Sequence, residues 1–225
     1  MKQQHKSKRD IVTATHYKPR KLPKQKRSQI LFNRITAAAK ELFEREGYAY
    51  VSTNQIAEQA NISIGSIYQY FSNCESIALA LYEEASTHAS LHMKRKAFEI
   101  LRLPLGDSIP RLIAALIDIF EADQFVLLQL IDEVPELRIP AQAVSFDNLI
   151  HASVHTYLQQ HYPDVDETLI AHKVYLVEKS IIGTIRRCLE EQPEHISREE
   201  IVKELSLMLL LYLETLGSAD PAPQP

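Results

Sequence analysis

The polar side chains between residues 53 and 70 are of the types that hydrogen-bond to phosphate groups and to base edges. Ser63 and Ser66 carry hydroxyl groups three residues apart, and Tyr68 adds a phenolic hydroxyl two residues later. A hydroxyl can donate to a phosphate oxygen, and the amide of Gln69 can pair with an adenine edge. Such residues also occur on ordinary exposed helices, so whether they contact phosphates or bases depends on the structural elements that carry them.

Two pairs of histidines have a spacing that suits a metal ion. His151 and His155 are four residues apart, as are His88 and His92, and on a helix this spacing puts both rings on one face. The adjacent glutamate of a zinc metalloprotease helix is absent, and no third ligand or nucleophile constellation accompanies either pair. We therefore predict no enzyme, no catalytic residues, no cofactor and no resident metal. A regulatory metal bound by His151 and His155 is kept as an alternative.

The sequence predicts one helix before the stretch that carries these hydroxyl groups and a second helix at the start of that stretch. Apolar residues recur at three- and four-residue steps from about Ser28, and Gly47 ends that helix as a C-terminal glycine does. Ser52 and Gln55 then form a capping box, which marks the start of a second helix. Each helix has an apolar face, so we expect the two helices to pack together through these faces.

A third helix is predicted immediately after the second. Asn61 tolerates the left-handed backbone of a tight turn, and Ser63 can cap the helix that follows, which buries Ile67 and Phe71. Two short helices joined by so tight a turn are typical of a helix-turn-helix element, whose second helix enters the major groove of DNA.

The basic side chains are concentrated at the N-terminus. Residues 1–27 hold ten Lys or Arg and one acid, whereas the other 198 residues hold 15 basic and 28 acidic side chains. A basic arm on an acidic body indicates a segment that binds a polyanion, and a solubilising tail is the equally weighted alternative.

The rest of the chain is also predicted to be helical. No segment alternates with period two, and only five glycines occur in 225 residues. Further helices are expected at about 74–103, 109–121, 123–134, 140–161, 166–191 and 197–216. The fold class is therefore all-α, with about nine helices in a three-helix head and a helical body. The predicted segments are a flexible arm (1–27), a head (28–85), a body (86–217) and a disordered tail (218–225).

The sequence is typical of a soluble cytoplasmic protein. Its longest apolar run, Leu207–Leu213, is too short to cross a bilayer, and the N-terminus has no apolar signal core. Cys74 and Cys188 are isolated, which suits a reducing compartment.

The stretch from Val51 to Ile77, VSTNQIAEQANISIGSIYQYFSNCESI, resembles the DNA-reading motif of the TetR family of transcriptional regulators. The matching positions are Thr53, Ile56, Ala57, Ala60, Ile62, Ser63, Gly65, Ser66, Ile67, Tyr68, Tyr70 and Phe71. Ala37–Phe43, followed by Gly47 and Tyr48, resembles the family's first helix. The specific match covers about residues 28–85, and the remainder resembles the family only in being helical.

The resemblance implies a homodimeric repressor that binds a pseudo-palindromic, double-stranded DNA operator. The residues that it implies as DNA contacts are Thr53, Asn54, Ser63, Ile64, Gly65, Ser66, Tyr68, Gln69 and Tyr70. Because Gly65 lacks a side chain, the third helix could approach the duplex closely.

Two positions depart from the family pattern. Asn61 replaces a glycine, which is a mild change, and Cys74 replaces a lysine that normally points at a phosphate. The second change removes one charge-assisted contact. We predict that the basic arm compensates, with Lys24, Lys26 and Arg27 following the DNA backbone or entering the minor groove.

The family resemblance also implies a pocket for a small, often apolar effector in the C-terminal helices. The candidate lining residues are Phe98, Phe120, Phe125, Leu128, Phe146, His151, Tyr157 and Tyr175. Neither the effector nor the operator is specified by the sequence, and an activator is an alternative to a repressor.

A dimer interface is predicted on the apolar stripes of the last two helices. Its candidate residues are Val174, Ile181, Ile185, Leu205, Met208, Leu209 and Tyr212. Ordinary core within one chain is the alternative, because periodicity does not say which neighbour covers a stripe. A structural helical dimer without a DNA role is a further alternative, and it leaves the motif at 51–71 unexplained.

Overall fold

A computed structural model describes residues 25–134 and 147–216, together with Pro19 and Pro23. Every regular element in these residues is helical, which confirms the predicted all-α class. The nine α-helices of the described residues are α1 (Lys26–Glu46), α2 (Thr53–Gln59), α3 (Ile64–Tyr68), α4 (Cys74–Ile100), α5 (Leu105–Ala122), α6 (Leu130–Glu133), α7 (Asp147–His161), α8 (Glu167–Glu191) and α9 (Arg198–Glu214). The α1 helix begins at Lys26, so the last two residues of the predicted arm are helical.

The chain forms two compact units. Among the described residues, the head comprises 25–87 and 123–134, and the body comprises 88–122 and 147–216. The α4 helix therefore passes from the head into the body after Thr87. The sequence predicts a boundary at 85/86 and a body that includes segment 123–134, so the two divisions differ at these points.

The head packs around a core that α1, α2, α3 and the first turns of α4 share. The largest fully buried side chains of this core are Ile35, Phe43, Ile56, Ile67, Phe71, Ile77 and Leu79. On α1, α2 and α3 these residues come from the apolar face that the helical period predicts, whereas the first turns of α4 are buried on all sides.

Local signals end and begin the helices of the head where the sequence predicts. Gly47 ends α1 with a φ of 84°, and Asn61 adopts a φ of 50° in the turn between α2 and α3. The capping box of Ser52 and Gln55 is present at α2, and Ser63 caps α3 by accepting a hydrogen bond from the Ser66 amide.

Segment 123–134 belongs to the head. It contains a π-helical turn (Phe125–Gln129) followed by α6, and it buries Val126, Leu130 and Val134 in the head core. Two polar contacts add to this packing: Lys40 Nζ lies 2.9 Å from Asp123 Oδ1, and the Tyr48 amide donates to Glu133 Oε2 at 2.9 Å. The sequence predicted the helical character of the segment but not these partners.

The body is formed by the later turns of α4 and by α5, α7, α8 and α9. The α7 helix packs on α8, α9 packs on α5, and α8 also contacts α5 and α9. Asp166 caps α8, and Ser197 and Glu200 form a capping box at α9. These caps satisfy amide groups that would otherwise lack partners at the helix ends.

One helix start was predicted wrongly. The sequence predicts that this helix begins at about residue 109, but α5 already begins at Leu105 and therefore holds Pro110 in its second turn. Pro110 is six residues into the helix, where its missing N–H removes the bond to the Gly106 carbonyl only. Gly106 lies in the exposed first turn, so water can satisfy that carbonyl.

Candidate nucleic-acid interface and effector cavity

The exposed face of α2 and α3 carries most of the predicted DNA contacts. Asn54, Ser63, Gly65, Tyr68 and Gln69 are exposed, and Tyr68 retains 43% of its accessible surface. Thr53, Ile64 and Ser66 are partly exposed on the same two helices. The head therefore presents a continuous polar surface, which the three-helix core behind it holds in place.

Two pairs of hydroxyl groups lie on this surface. Thr53 Oγ1 is 3.2 Å from Tyr68 OH, which joins the start of α2 to the end of α3. Ser63 Oγ is 2.9 Å from Ser66 Oγ at the start of α3. Hydroxyl groups and helix N-termini are common donors to phosphate oxygens in protein–DNA complexes.

Gly65 is not required by the fold of the head. A Cβ atom built at Gly65 would meet only Ser63 Oγ, at 3.9 Å, which is ordinary van der Waals contact. A glycine costs an α-helix about 0.5–1 kcal/mol relative to alanine. The absence of a side chain in the first turn of α3 therefore has no explanation within the head itself and suits close approach by a second molecule.

Tyr70 is a correction to the predicted interface. Its side chain is only 6% exposed, and its ring packs edge-on against Phe32 with 6.0 Å between the ring centroids. The alternation of Tyr68 and Tyr70 suggested two equivalent contacts, but the two rings face opposite ways. Tyr68 reaches solvent, and Tyr70 forms part of the core.

Among the described residues of the head, few lysine or arginine side chains lie near the surface of α2 and α3 that carries the hydroxyl groups. Lys26 and Arg27 are exposed in the first turn of α1, and Lys24 lies outside the described residues. Cys74 begins α4 and its thiol donates to the Val51 carbonyl at 3.5 Å. Burial, with a smaller contribution from Glu75, raises the pKa of Cys74 to about 11. The thiol is therefore neutral at pH 7 and supplies no charge for a phosphate.

The body encloses a narrow apolar cavity. Its walls come from α4, α5, α7, α8 and α9, and include Met93, Ile100, Ile109, Leu158 and Val177. No charged side chain lines it. The free space is about 40 Å³, which is room for about three water-sized groups. A longer ligand can therefore enter only if the surrounding side chains move.

The polar atoms of the cavity are few. Ser108 and Ser153 contribute hydroxyl groups, and the Tyr157 hydroxyl donates to the Leu103 carbonyl at 2.9 Å. Burial raises the pKa of Tyr157 above its ordinary value. The cavity therefore favours an alkyl chain or a similar apolar group over a charged one.

Of the residues predicted to line an effector pocket, the structure places Tyr157 at this cavity. Phe98 and Tyr175 are exposed, Phe120 and Leu128 are buried elsewhere, and Phe125 packs on the head core. Phe146 lies outside the described residues. The cavity is lined mostly by aliphatic residues, whereas the lining residues predicted from the sequence were mostly aromatic.

A second and wider cleft of about 250 Å³ lies elsewhere in the body, between the ends of α5 and α8 and the start of α9. Its Arg198 is already paired with Asp118 and Glu121. We favour the first cavity as the candidate effector site because its lining is almost wholly apolar and includes no charged side chain.

The histidine pair on α7 is engaged by carboxylates. His151 Nδ1 lies 2.8 Å from Glu178 Oε2, and His155 Nε2 lies 2.8 Å from Glu167 Oε1. Both contacts join α7 to α8. Within the residues that the structure describes, no group of three or more potential ligands is placed to hold a metal ion.

The predicted dimer stripe needs correction. Val174, Ile181, Ile185, Leu205 and Leu209 are buried within one chain, so they are not available to a second subunit. The exposed apolar side chains of α8 and α9 are instead Tyr175, Leu176, Leu207, Met208 and Leu211. Of the predicted set, Met208 is exposed and Tyr212 is partly exposed. Both helices carry apolar side chains on more than one side. The stripe that was predicted to contact a second subunit is instead covered by other helices of the same chain.

No helix in the described ranges is long and apolar enough to cross a membrane.

Comparison with known proteins agrees with this geometry. The family model for bacterial regulatory proteins of the tetR family matches residues 35–81, and the model for a tetracyclin repressor-like C-terminal domain matches residues 104–213. The two matches cover both the three-helix head and most of the body helices.

Several relatives have names that concern fatty acids. A fatty acid metabolism regulator protein of Bacillus subtilis is 39% identical over 61 residues, which is 27% of this chain and 30% of that protein. The fatty acid degradation regulator FadR of Bacillus halodurans has a similar structure, with a TM-score of 0.63, 19% identity, and coverage of 80% of this chain and 94% of that one.

A third similar structure is FadR of Bacillus subtilis in complex with stearoyl-CoA. It has a TM-score of 0.53 and 21% identity, and the match covers 84% of this chain and 100% of that one. At these identities the structural matches establish the fold. The family models and the helix-turn-helix together show that this chain belongs to the TetR family of bacterial transcriptional regulators.

Proposed function

We propose that the protein is a transcriptional repressor that binds an operator through α2 and α3 and is released by an apolar effector. The observation that carries the proposal is Gly65, an exposed helical glycine that the fold does not need, flanked by hydroxyl groups suited to phosphate. A regulator of this kind acts beside the chromosome, so we place it in the cytoplasm. The test is selective binding of operator DNA by the purified chain, measured beside a Tyr68→Ala variant that should bind more weakly.

We propose that the basic N-terminal arm supplies charge that the head lacks. Residues 1–27 carry a net charge of +9, whereas Cys74 is neutral where the family has lysine. Deleting residues 2–23 is expected to weaken operator binding and to flatten its dependence on salt, because fewer counterions are released. An operator titration at several salt concentrations measures the slope, and an unchanged slope would exclude this role.

We propose that the protein is a homodimer joined through α8 and α9. Tyr175, Leu176, Leu207, Met208 and Leu211 expose a set of large apolar side chains on these helices. Large apolar side chains gathered on an exposed surface are a feature of interaction sites. Two heads held by one dimer would read operator half-sites about one helical turn apart, roughly 34–36 Å.

A charge on this surface should separate the subunits. Leu211→Glu is expected to yield a monomer, because burying an unpaired carboxylate in an apolar interface costs several kcal/mol. Operator affinity should fall at least about tenfold, since each head then binds without the other. Leu91→Glu is the matched control, because Leu91 is similarly exposed but lies on α4. Sedimentation of both variants decides, and a dimeric Leu211→Glu protein contradicts the assigned surface.

We propose that the effector carries a fatty acyl chain. The cavity is lined almost entirely by aliphatic groups, and two relatives are named as regulators of fatty acid metabolism or degradation. A relative with a similar fold was solved with stearoyl-CoA. An acyl chain longer than a few carbons exceeds the present free space, so its entry would repack the body.

The chain offers two covalent routes from the cavity to the head. The α4 helix contributes Ile77 to the head core and Met93 to the cavity wall, and α5 lines the cavity with Ile109 before the chain enters segment 123–134. An effector that binds better to a body conformation in which the heads are wrongly spaced shifts the population away from DNA. A release of 99% from an equally populated start requires differential affinity of about 100-fold.

A further inference from the structure

A cluster of basic side chains in the body has no ion-pair partner among the described residues. These are Lys94, Arg95, Lys96, Arg102 and Arg111. The other basic residues of the body are engaged: Lys179 with Glu178, Arg186 with Glu190, Arg187 with Glu191, Arg198 with Asp118 and Glu121, Lys203 with Glu204, and Lys173 with the Tyr212 carbonyl. Among the described lysines and arginines of the body, those without an ion-pair partner therefore lie on α4, the turn after it and α5.

Part of this cluster lies beside the open edge of the apolar cavity. On α4 the cavity is lined by Met93 and Ile100, which are buried, and by Ala97 and Leu101, which are partly exposed and therefore mark its edge. Residues three and four apart are neighbours on a helix surface. Lys94 precedes Ala97 by three residues and is exposed, so it neighbours this edge on the surface of α4.

Phe98 and Arg102 continue the same edge. Phe98 precedes Leu101 by three residues and is 63% exposed. The guanidinium carbon of Arg102 lies 3.9 Å from the centroid of the Phe98 ring. An exposed aromatic ring beside cations is a surface on which planar bases stack, while lysine and arginine bind phosphate.

We propose that Lys94, Phe98 and Arg102, the rim cluster, bind the phosphorylated nucleotide head of an acyl-coenzyme A thioester. The acyl chain would enter the cavity, and the head would stay outside, because the cavity has no charged group to receive it. The proposal rests on the acyl effector proposed above and adds the head group that distinguishes a thioester from a free fatty acid.

Two ligands of equal chain length test the proposal. The full-length protein is titrated by calorimetry with hexadecanoyl-CoA and with hexadecanoic acid, at low and at high salt. The thioester is expected to bind at least about tenfold more tightly, and this advantage should shrink at high salt because the rim charges are exposed to solvent. Equal affinities at low salt overturn the proposal and leave an apolar effector in place.

Single substitutions then assign the contacts. Phe98→Ala and Arg102→Ala are each expected to reduce thioester affinity by roughly fivefold to tenfold and to leave the affinity for hexadecanoic acid unchanged. Arg187→Ala is the control, because Arg187 is an exposed arginine of α8 that already has carboxylate partners. Circular dichroism of each variant verifies the fold.

The remaining outcomes distinguish the proposed head-group site from its alternatives. Thioester affinity that is unchanged in both rim variants overturns the rim cluster as the head-group site. Weaker operator binding by Arg102→Ala without any ligand overturns it as well and assigns the arginine to DNA. If neither ligand binds the wild type, both this inference and the acyl effector fail, while operator binding remains independently measurable.

Discussion

Replacing Gly65 by leucine is expected to leave the head folded and to weaken operator binding by roughly 30- to 100-fold. The Cβ position is open, and leucine is a better helix former than glycine by about 1 kcal/mol, so the α3 helix should not lose stability. A leucine side chain there would hold α3 away from the groove. The expected loss corresponds to one or two base contacts, each worth about 1–3 kcal/mol.

Gly106→Leu is the matched control for this experiment. Gly106 is also the exposed second residue of a helix, and a Cβ there meets nothing within 4 Å. This variant should fold and bind DNA as the wild type does. A graded loss through Gly65→Ala to Gly65→Leu in an operator titration supports close approach, and full affinity in Gly65→Leu excludes it.

Replacing Ala97 by leucine should make operator binding by the protein insensitive to the proposed acyl effector. Ala97 lines the cavity, whose free volume is about 40 Å³, so the added carbons occupy the space that an acyl chain needs. Overpacking of this size typically costs about 1–3 kcal/mol of stability. Effector affinity is expected to fall at least about tenfold, which is about 1.4 kcal/mol, while operator affinity without effector is retained.

Ala152→Leu is the control for the cavity variant, because Ala152 is an exposed residue of α7. Release of operator DNA is measured by fluorescence anisotropy during titration with hexadecanoyl-CoA. Release of the Ala97→Leu protein at the same concentration as the control contradicts the cavity as the effector site. Loss of operator binding by that variant before any ligand is added also contradicts the prediction, which requires the affinity without effector to be retained.

The head could be predicted from sequence because its signals are local. Ser52, Asn61 and Ser63 determine the ends of α2 and α3 through their own hydrogen bonds and backbone angles, and Gly47 does the same for α1. These hydrogen bonds and backbone angles involve residues within three or four positions of one another, so they can be predicted from the local sequence. Tyr70 is the exception, because its burial depends on Phe32 in a different helix.

The body was predicted less well because its features depend on which helix covers which face. Val174 and Ile181 form a genuine apolar stripe, but α8 turns it toward its own chain and leaves Tyr175 and Leu176 exposed. The cavity was missed for a related reason. Its aliphatic walls come from five helices, and no single segment shows that its side chains face an unfilled space. Phe98 was predicted as lining and lies instead on the surface.

The most direct test of the central claim is operator binding. Random-sequence DNA is selected with the full-length chain, and the selected fragment is titrated at several salt concentrations beside the Tyr68→Ala variant. We predict selective binding at least about 10³-fold tighter than to unrelated DNA, steep salt dependence, and a clear loss of affinity in Tyr68→Ala. Failure to select any sequence, or identical binding by Tyr68→Ala, would contradict the assignment of α2 and α3 as the DNA-reading surface.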